Sequence, residues 1–417
     1  MQYPDDFLRR IPKTDLHCHL DGSIRLQTLI DLSKEQGLEL PAYDVEGLKK
    51  LVFKPHYNSL EEYLECFKYS SAALAGNGDG LERVAYELAL DQFAIGVRYF
   101  EVRFAPQIHA TPGVLSIDEC ISKVNEGLQR GVQEYNSRPE IITGEEPEYN
   151  CGIIVCAMRC FSRDSSPWYK NFWDCHQHET PKRIYGLASV ALVAAAGKLR
   201  NSMGIPIVAV DIAGAEFGFP ASDHKEAFEL AHKKFFFKTI HAGEGYGPES
   251  IFQAITDCHA ERIGHGYHLF AAEQFSNTER TPESREAYIA KLIQYMSNMR
   301  ICIEVCLSSN LQTIPQSSLD QHPAKRMLDR KMAITICSDN MTVSHTDVYK
   351  ELKLAVDAFQ LTPQQVKDIT MTGFKRSFMA KDYVEKRSYN RRIVYFYERM
   401  EKEYGVHTHK REESFFA

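Results

Sequence analysis

Eight short apolar runs recur along the chain, separated mostly by segments with helical spacing. They are TDLHCH (14–19), VRYFEVRFA (97–105), CGIIVCAM (151–158), PIVAVDI (206–212), FFFKTIH (235–241), ERIGH (261–265), ICIEVC (301–306) and AITICS (333–338). Several are almost continuously apolar, the pattern of parallel strands covered on both faces. Between them, GLERVAYELALDQFAIG puts Leu81, Val84, Ala85, Leu88 and Ala89 on one helical face. SIDECISKVNEGLQRGV adds Ser116 as an N-cap, Glu119 to complete a capping box, and a stripe of Ile117, Ile121, Val124 and Leu128. Eight strand–helix units predict an α/β fold, a (β/α)8 TIM barrel, with extra helices in the long stretch 20–96 after the first strand. A doubly wound open sheet is the alternative, but no Gly-rich phosphate loop follows the first strand.

α/β barrels fill several hundred residues as one unit, so residues 1–417 read as a single domain with a charged, mobile tail over 405–417. Residues 137–150, rich in Pro, Gly and Glu, read as a surface insertion. The polar stretch 271–287 reads as a loop leading into the helix before Tyr295. The net charge of −7 gives no reason to expect a nucleic-acid partner and fits a protein with a small-molecule ligand. MQYPDDFLRRIPK lacks the apolar region of a secretory signal. GLASVALVAAAG (186–197) is too short to span a bilayer and reads as a buried helix, so no membrane partner is expected. Eleven scattered cysteines, with Cys156, Cys302 and Cys337 in strand-like runs, read as reduced thiols of a cytoplasmic protein. Cys156 and Cys160 are four apart without a second pair, which argues against a zinc ribbon.

Barrel enzymes place chemistry at the carboxyl ends of the strands. The polar residues of this chain fall there repeatedly. His17 and His19 alternate with Leu16, Cys18 and Leu20, so two imidazoles share one strand face and can bind one metal. Asp211 and Gly214 follow the fourth run, His241 and Glu244 the fifth, and His265 ends the sixth. Glu304 and Ser308 close the seventh, and Asp339 and Asn340 the eighth. Each alone is more often a hydrogen-bonded structural residue. As a set they predict a metal-dependent site.

LHCHLDGS, HAGE, ERIGHG, EVCLSSN and the Ser-Asp-Asn run occur in the order used by the adenosine deaminase family of metal-dependent hydrolases, within the amidohydrolase superfamily. RFAPQIHA (103–110) and VDIAGAE (210–216) are similar to further family segments. The chain resembles the family over roughly residues 10 to 355. That resemblance implies a (β/α)8 barrel and hydrolytic deamination of adenosine to inosine and ammonia in purine salvage, with 2′-deoxyadenosine as a further candidate substrate. It implies one Zn2+ per chain, held by His17, His19, His241 and Asp339. Glu244 would protonate N1 of the purine, and so needs a carboxyl pKa raised by burial and a nearby negative group. His265 would orient the water and stabilise the attacking oxygen, with uptake of its proton also open to it. Asp339 would hydrogen-bond the same oxygen. The Gly214 N–H would contact purine N3.

Asn340 stands where the family commonly has a second Asp that bonds purine N7. An amide donates there without first being protonated. Asp21 matches the position that meets a ribose hydroxyl in adenosine deaminases, and a carboxylate would repel a 5′-phosphate. The bland reading of Asp21 is a turn cap beside Gly22. Two alternatives stand beside adenosine: another 6-aminopurine, such as adenine or an N6-modified nucleoside or nucleotide, and a catalytically silent, metal-stabilised nucleoside-binding barrel.

Other residues carry weaker expectations. The second His-x-His, His176 and His178, lies in a polar stretch with Trp168, Phe172 and Trp173, which read as packing residues. His56, His224, His232, His322 and His345 read as surface or capping residues. His109 is a minor candidate for the pocket wall, and Glu304 for a buried structural hydrogen bond. Leu60, Phe67 and Met158 fit either the pocket wall or the core.

Overall fold

A computed structural model describes residues 3–276, 280–314 and 317–408. Eight strands pair in chain order, every pair parallel: β1 Lys13–His19, β2 Val97–Phe104, β3 Asn150–Met158, β4 Ile207–Ala213, β5 Phe237–Ala242, β6 Arg262–His265, β7 Cys302–Val305 and β8 Ile334–Ile336. Each lies within two residues of an apolar run. The ring closes past the end of β8. Asp339 bridges Cys18, the His19 N–H donates to the Asp339 carbonyl at 2.8 Å, and the Asp339 N–H donates to the His17 carbonyl at 2.7 Å. The fold is a (β/α)8 barrel.

The strands are buried along nearly their whole length because helices cover their outer faces. The expected extra helices after β1 are Leu26–Glu35, Val45–Leu51, Leu60–Leu64 and Phe67–Leu74, before the covering helix Gly78–Ala94. The helix Ile117–Asn136 carries the Ser116/Glu119 capping box. The run 186–197 lies in the helix Pro181–Met203, which buries one face through Ile184, Ala188, Leu192 and Val193 and leaves the other wet. Residues 139–142 of the expected insertion form an exposed helical turn. The helix before β7 starts earlier than the polar composition suggested, at Pro282, because Thr281 caps it by accepting from the Ser284 N–H. Residues 277–279 of that stretch, and 409–417 of the expected tail, lie outside the described residues. Gly405 ends the helix Tyr383–Tyr404 in the left-handed conformation. Among the described residues no helix is long and apolar enough to cross a membrane.

Two of the histidines expected at the surface or as caps are buried, His224 at the N-cap position of the helix Lys225–Lys233 and His322 accepting the Ala324 N–H. His224 sits between Ser189 Oγ at 2.8 Å and the Arg159 carbonyl at 3.2 Å, and His322 is enclosed beside Tyr267. Their polar neighbours in sequence misled, because burial is decided by what packs on a segment from elsewhere. His56 and His232 are exposed, and His345 bonds the Phe53 carbonyl.

Candidate active site

At the carboxyl end of the barrel, one ligand atom each from His17, His19, His241 and Asp339 lies within 4.8 Å of the others. The Nε2 atoms of His19 and His241 are 3.2 Å apart, and Asp339 Oδ1 is 3.4 Å from the Nε2 of both His17 and His19. Two of the rings have their tautomer fixed from behind. His17 Nδ1 bonds Glu304 Oε2 at 2.8 Å, and His241 Nδ1 bonds Asp211 Oδ1 at 3.2 Å. A carboxylate only accepts, so both Nδ1 atoms carry the hydrogen and both Nε2 atoms present lone pairs. His17 Nε2 is buried without a hydrogen-bond partner. Lone pairs and a carboxylate facing one point are what a cation requires, so the residues fit a metal.

The carboxylates behind the histidines are themselves held by buried arginines. Arg103 spans Asp211 at 2.7 Å and Glu304 at 2.8 Å, and Arg262 bonds Glu304 at 2.6 Å and also Glu101. Thr239 Oγ1 donates to Glu304 at 2.8 Å. Although burial opposes it, Arg103 and Arg262 hold the Glu304 carboxyl well below its ordinary range. Glu304 is thus a buried hydrogen-bonding residue, as expected, and its partner is a histidine of the candidate metal cluster. The β1 and β8 ends are tied by Asp15, which accepts from Ser338 Oγ at 2.5 Å and Gln92 Nε2 at 2.8 Å. His265 and Asp339 have φ of +63° and +60°. That region costs non-glycine residues on the order of 1 kcal/mol each. Gly264 is needed for space, since a Cβ there would sit 2.9 Å from His17 Cε1.

A cavity of about 250 Å3 opens over the cluster. Asp21, Gly214, Glu244, His265 and Asn340 all line it with His19, His241 and Asp339. Leu60, Phe67 and Met158 form apolar wall. A larger depression of about 780 Å3 lies at the opposite, amino-terminal mouth and contains none of these residues.

Burial, with Asp339 and Glu216 nearby, pushes the Glu244 carboxyl up to about 8, so it is protonated at neutral pH. Its Oε1 is 3.7 Å from His265 Nε2. Burial pushes the His265 ring well below its ordinary value, so it is neutral. Burial also works against ionised Asp339, but the nearby His17, His265 and His19 rings hold its carboxyl well below the usual range. Asp21 is buried, and burial pushes its carboxyl up to about 6. His109 is buried behind it, with Nε2 3.8 Å from Asp21 Oδ2, and is absent from the cavity wall. Ser308 turns away and bonds Glu351. His176 bonds the Phe172 carbonyl, and His178 is exposed; neither joins a metal-type cluster among the described residues.

Besides the buried arginines, two residues near the cavity went unassigned in the sequence. Glu216 accepts the backbone N–H groups of Gly243, Glu244, Gly245 and Tyr246 at 2.7–3.2 Å, which fixes the turn that presents Glu244. It ends VDIAGAE, and an acid just past a strand was the available signal. Tyr63 OH accepts from Asn340 Nδ2 at 2.8 Å and lies 3.0 Å from Ser344 Oγ. Nothing local to Tyr63 announces a partner 277 residues away.

The adenosine deaminase family profile matches residues 12–169 and 183–393. A "Probable adenosine deaminase" of Dictyostelium discoideum is 33% identical over 90% of this chain, and the chain spans 41% of its length. "Adenosine deaminase 1" of Streptomyces coelicolor is 32% identical over 90% of this chain and 85% of its own. Among solved structures, an amidohydrolase from Burkholderia ambifaria with bound Zn superposes with a TM-score of 0.75 over 97% of this chain and 95% of its own, at 17% identity. Adenine deaminase from Arthrobacter aurescens gives 0.70 over 93% and 99%, at 18% identity. These two bear on the fold alone. With profile and relatives agreeing over nearly the whole barrel, the chain belongs to the adenosine deaminase family of metal-dependent hydrolytic deaminases.

Proposed function

We propose that this chain deaminates adenosine hydrolytically to inosine and ammonia, with one zinc ion held by His17, His19, His241 and Asp339. The observation that carries the reading is a single cavity lined by His19, His241 and Asp339 of that ligand set, by Glu244, whose carboxyl burial pushes up to about 8, and by the buried Asp21. Zinc bound there would polarise a water and lower its pKa toward neutrality. Every other part of the chemistry falls to the chain. Leu60, Phe67 and Met158 enclose the purine. The Gly214 N–H reaches N3. One Asn340 Nδ2 hydrogen is taken by Tyr63, and the second is left for N7. Asp21 accepts from a ribose hydroxyl. Glu244 passes its proton to N1 as the water oxygen bonds to C6. The Asp339 carboxylate takes one water hydrogen and passes it to the amino nitrogen as the C6–N bond breaks, and the second water hydrogen returns to Glu244. Overall, one hydrogen of the water ends on N1 and the other leaves on ammonia. We also read the chain as one domain, and its eleven free cysteines support a reducing, cytoplasmic setting.

Adenosine added to the zinc-loaded protein should lose its adenine absorbance and release ammonia. A chelator should stop this and added zinc restore it. Metal-loaded protein that leaves adenosine intact sinks the reading. Adenine, AMP and N6-methyl-AMP in the same assay rank the other aminopurines, and bound adenosine without ammonia points to a silent binding barrel.

Asp21→Ala should raise KM for adenosine about tenfold, the worth of a hydrogen bond to a charged group, with kcat little changed. It should leave any turnover of adenine unaltered. Unchanged adenosine kinetics would return Asp21 to a turn cap.

A further inference from the structure

Behind His265 lie two buried polar side chains that do not line the cavity: Asn310, which ends the EVCLSSN segment, and His322. Three contacts join them in series. The Ala324 N–H donates to His322 Nδ1 at 3.2 Å. His322 Nε2 lies 3.3 Å from Asn310 Oδ1. Asn310 Nδ2 lies 3.2 Å from His265 Nδ1.

The direction of the whole series follows from its first member. A backbone N–H only donates, so His322 Nδ1 accepts and carries no hydrogen. Burial pushes the His322 ring down to about 3, so it is neutral and its one ring hydrogen sits on Nε2. That hydrogen goes to Asn310 Oδ1, which fixes which end of the amide is oxygen. The Nδ2 end then donates to His265 Nδ1, which must be bare.

We infer that Asn310 and His322 are positioning residues that set the tautomer of His265, leaving its hydrogen on Nε2, the nitrogen turned toward Glu244 and the cavity. In that form Nε2 donates and cannot accept. His265 holds the attacking water oxygen by a donated hydrogen bond and stabilises the charge that develops on it. It is not the group that takes the water's proton. This catalytic consequence rests on the deaminase reading above; the tautomer does not.

The test is long-range proton–nitrogen NMR on the full-length, zinc-loaded protein labelled with 15N-histidine, with His265 assigned by signal loss in His265→Asn. The expected wild-type spectrum has a protonated Nε2 and a bare Nδ1. An Nδ1–H tautomer, or an imidazolium at neutral pH, overturns the inference whatever the variants do. Asn310→Leu should mix the two tautomers and lower kcat about hundredfold, the cost of one misdirected donor, with KM within about twofold and zinc content unchanged. A His265 spectrum unchanged in that variant overturns the inference, even if activity falls. Should Asn310→Leu not fold, the wild-type spectrum still decides. Should the wild type not deaminate adenosine, the functional reading fails and the spectrum decides the tautomer separately.

Discussion

Glu244→Gln is expected to keep its zinc and bind adenosine within a few-fold of wild type, while kcat falls about 10³- to 10⁴-fold, the upper range for loss of a general acid. Glutamine is nearly the same size and can still donate a hydrogen bond to N1. It cannot give the proton away. The wild-type carboxyl can, because burial beside Asp339 and Glu216 raises it from its ordinary value to about 8. Below that pH the acid is present and above it the carboxylate replaces it. Activity should therefore hold through neutral pH and fall about tenfold per unit on the alkaline side of pH 8. Steady-state kinetics with zinc analysis checks both statements. A Gln variant with near-normal kcat removes Glu244 from the chemistry, and an acid form needed only below pH 5 removes the role of burial.

Glu304→Gln should produce the largest loss of stability and of metal affinity together. Glu304 meets Arg103, Arg262, Thr239 and His17, all buried. Neutralising it leaves two guanidinium groups without their shared anion in the barrel interior. Breaking a buried ion pair from one side costs about 3–5 kcal/mol, far more than an exposed pair is worth. The same change leaves one acceptor oxygen where two served four donors, so His17 Nδ1 loses its charged partner, and loss of such a partner lowers metal affinity about 10- to 100-fold. Denaturant unfolding of the metal-free protein reads the first effect, and competition with a zinc chelator the second. A variant with unchanged stability would mean that the arginines find another anion. Unchanged zinc affinity would mean that His17 keeps its tautomer without Glu304.

The barrel was legible because its evidence is periodic and local. A strand buried on both faces needs an apolar run, and eight such runs spaced by helical stripes leave few other architectures. The candidate metal cluster was legible for a related reason. Alternation along β1 puts His17 and His19 on one face whatever the strand packs against. Once the strands form a barrel, His241, His265 and Asp339 arrive at the same rim because each ends its own strand. Asp21, Gly214 and Asn340 followed from the resemblance, and all three line the cavity.

What stayed hidden depends on neighbours that are distant along the chain. Glu304 stood out as an acid in an apolar strand, yet its value comes from Arg103 on β2, Arg262 on β6 and His17 on β1. Glu216 reaches a turn 27 to 30 residues away, and Tyr63 crosses the barrel mouth to Asn340. His322 lies in a polar stretch that looks solvent-exposed, and is enclosed because Asn310 and Tyr267 close over it. Backbone periodicity decides which way a side chain points from its own element. Protonation, tautomer and burial are properties of the surroundings, and those exist only after the eight strands have closed.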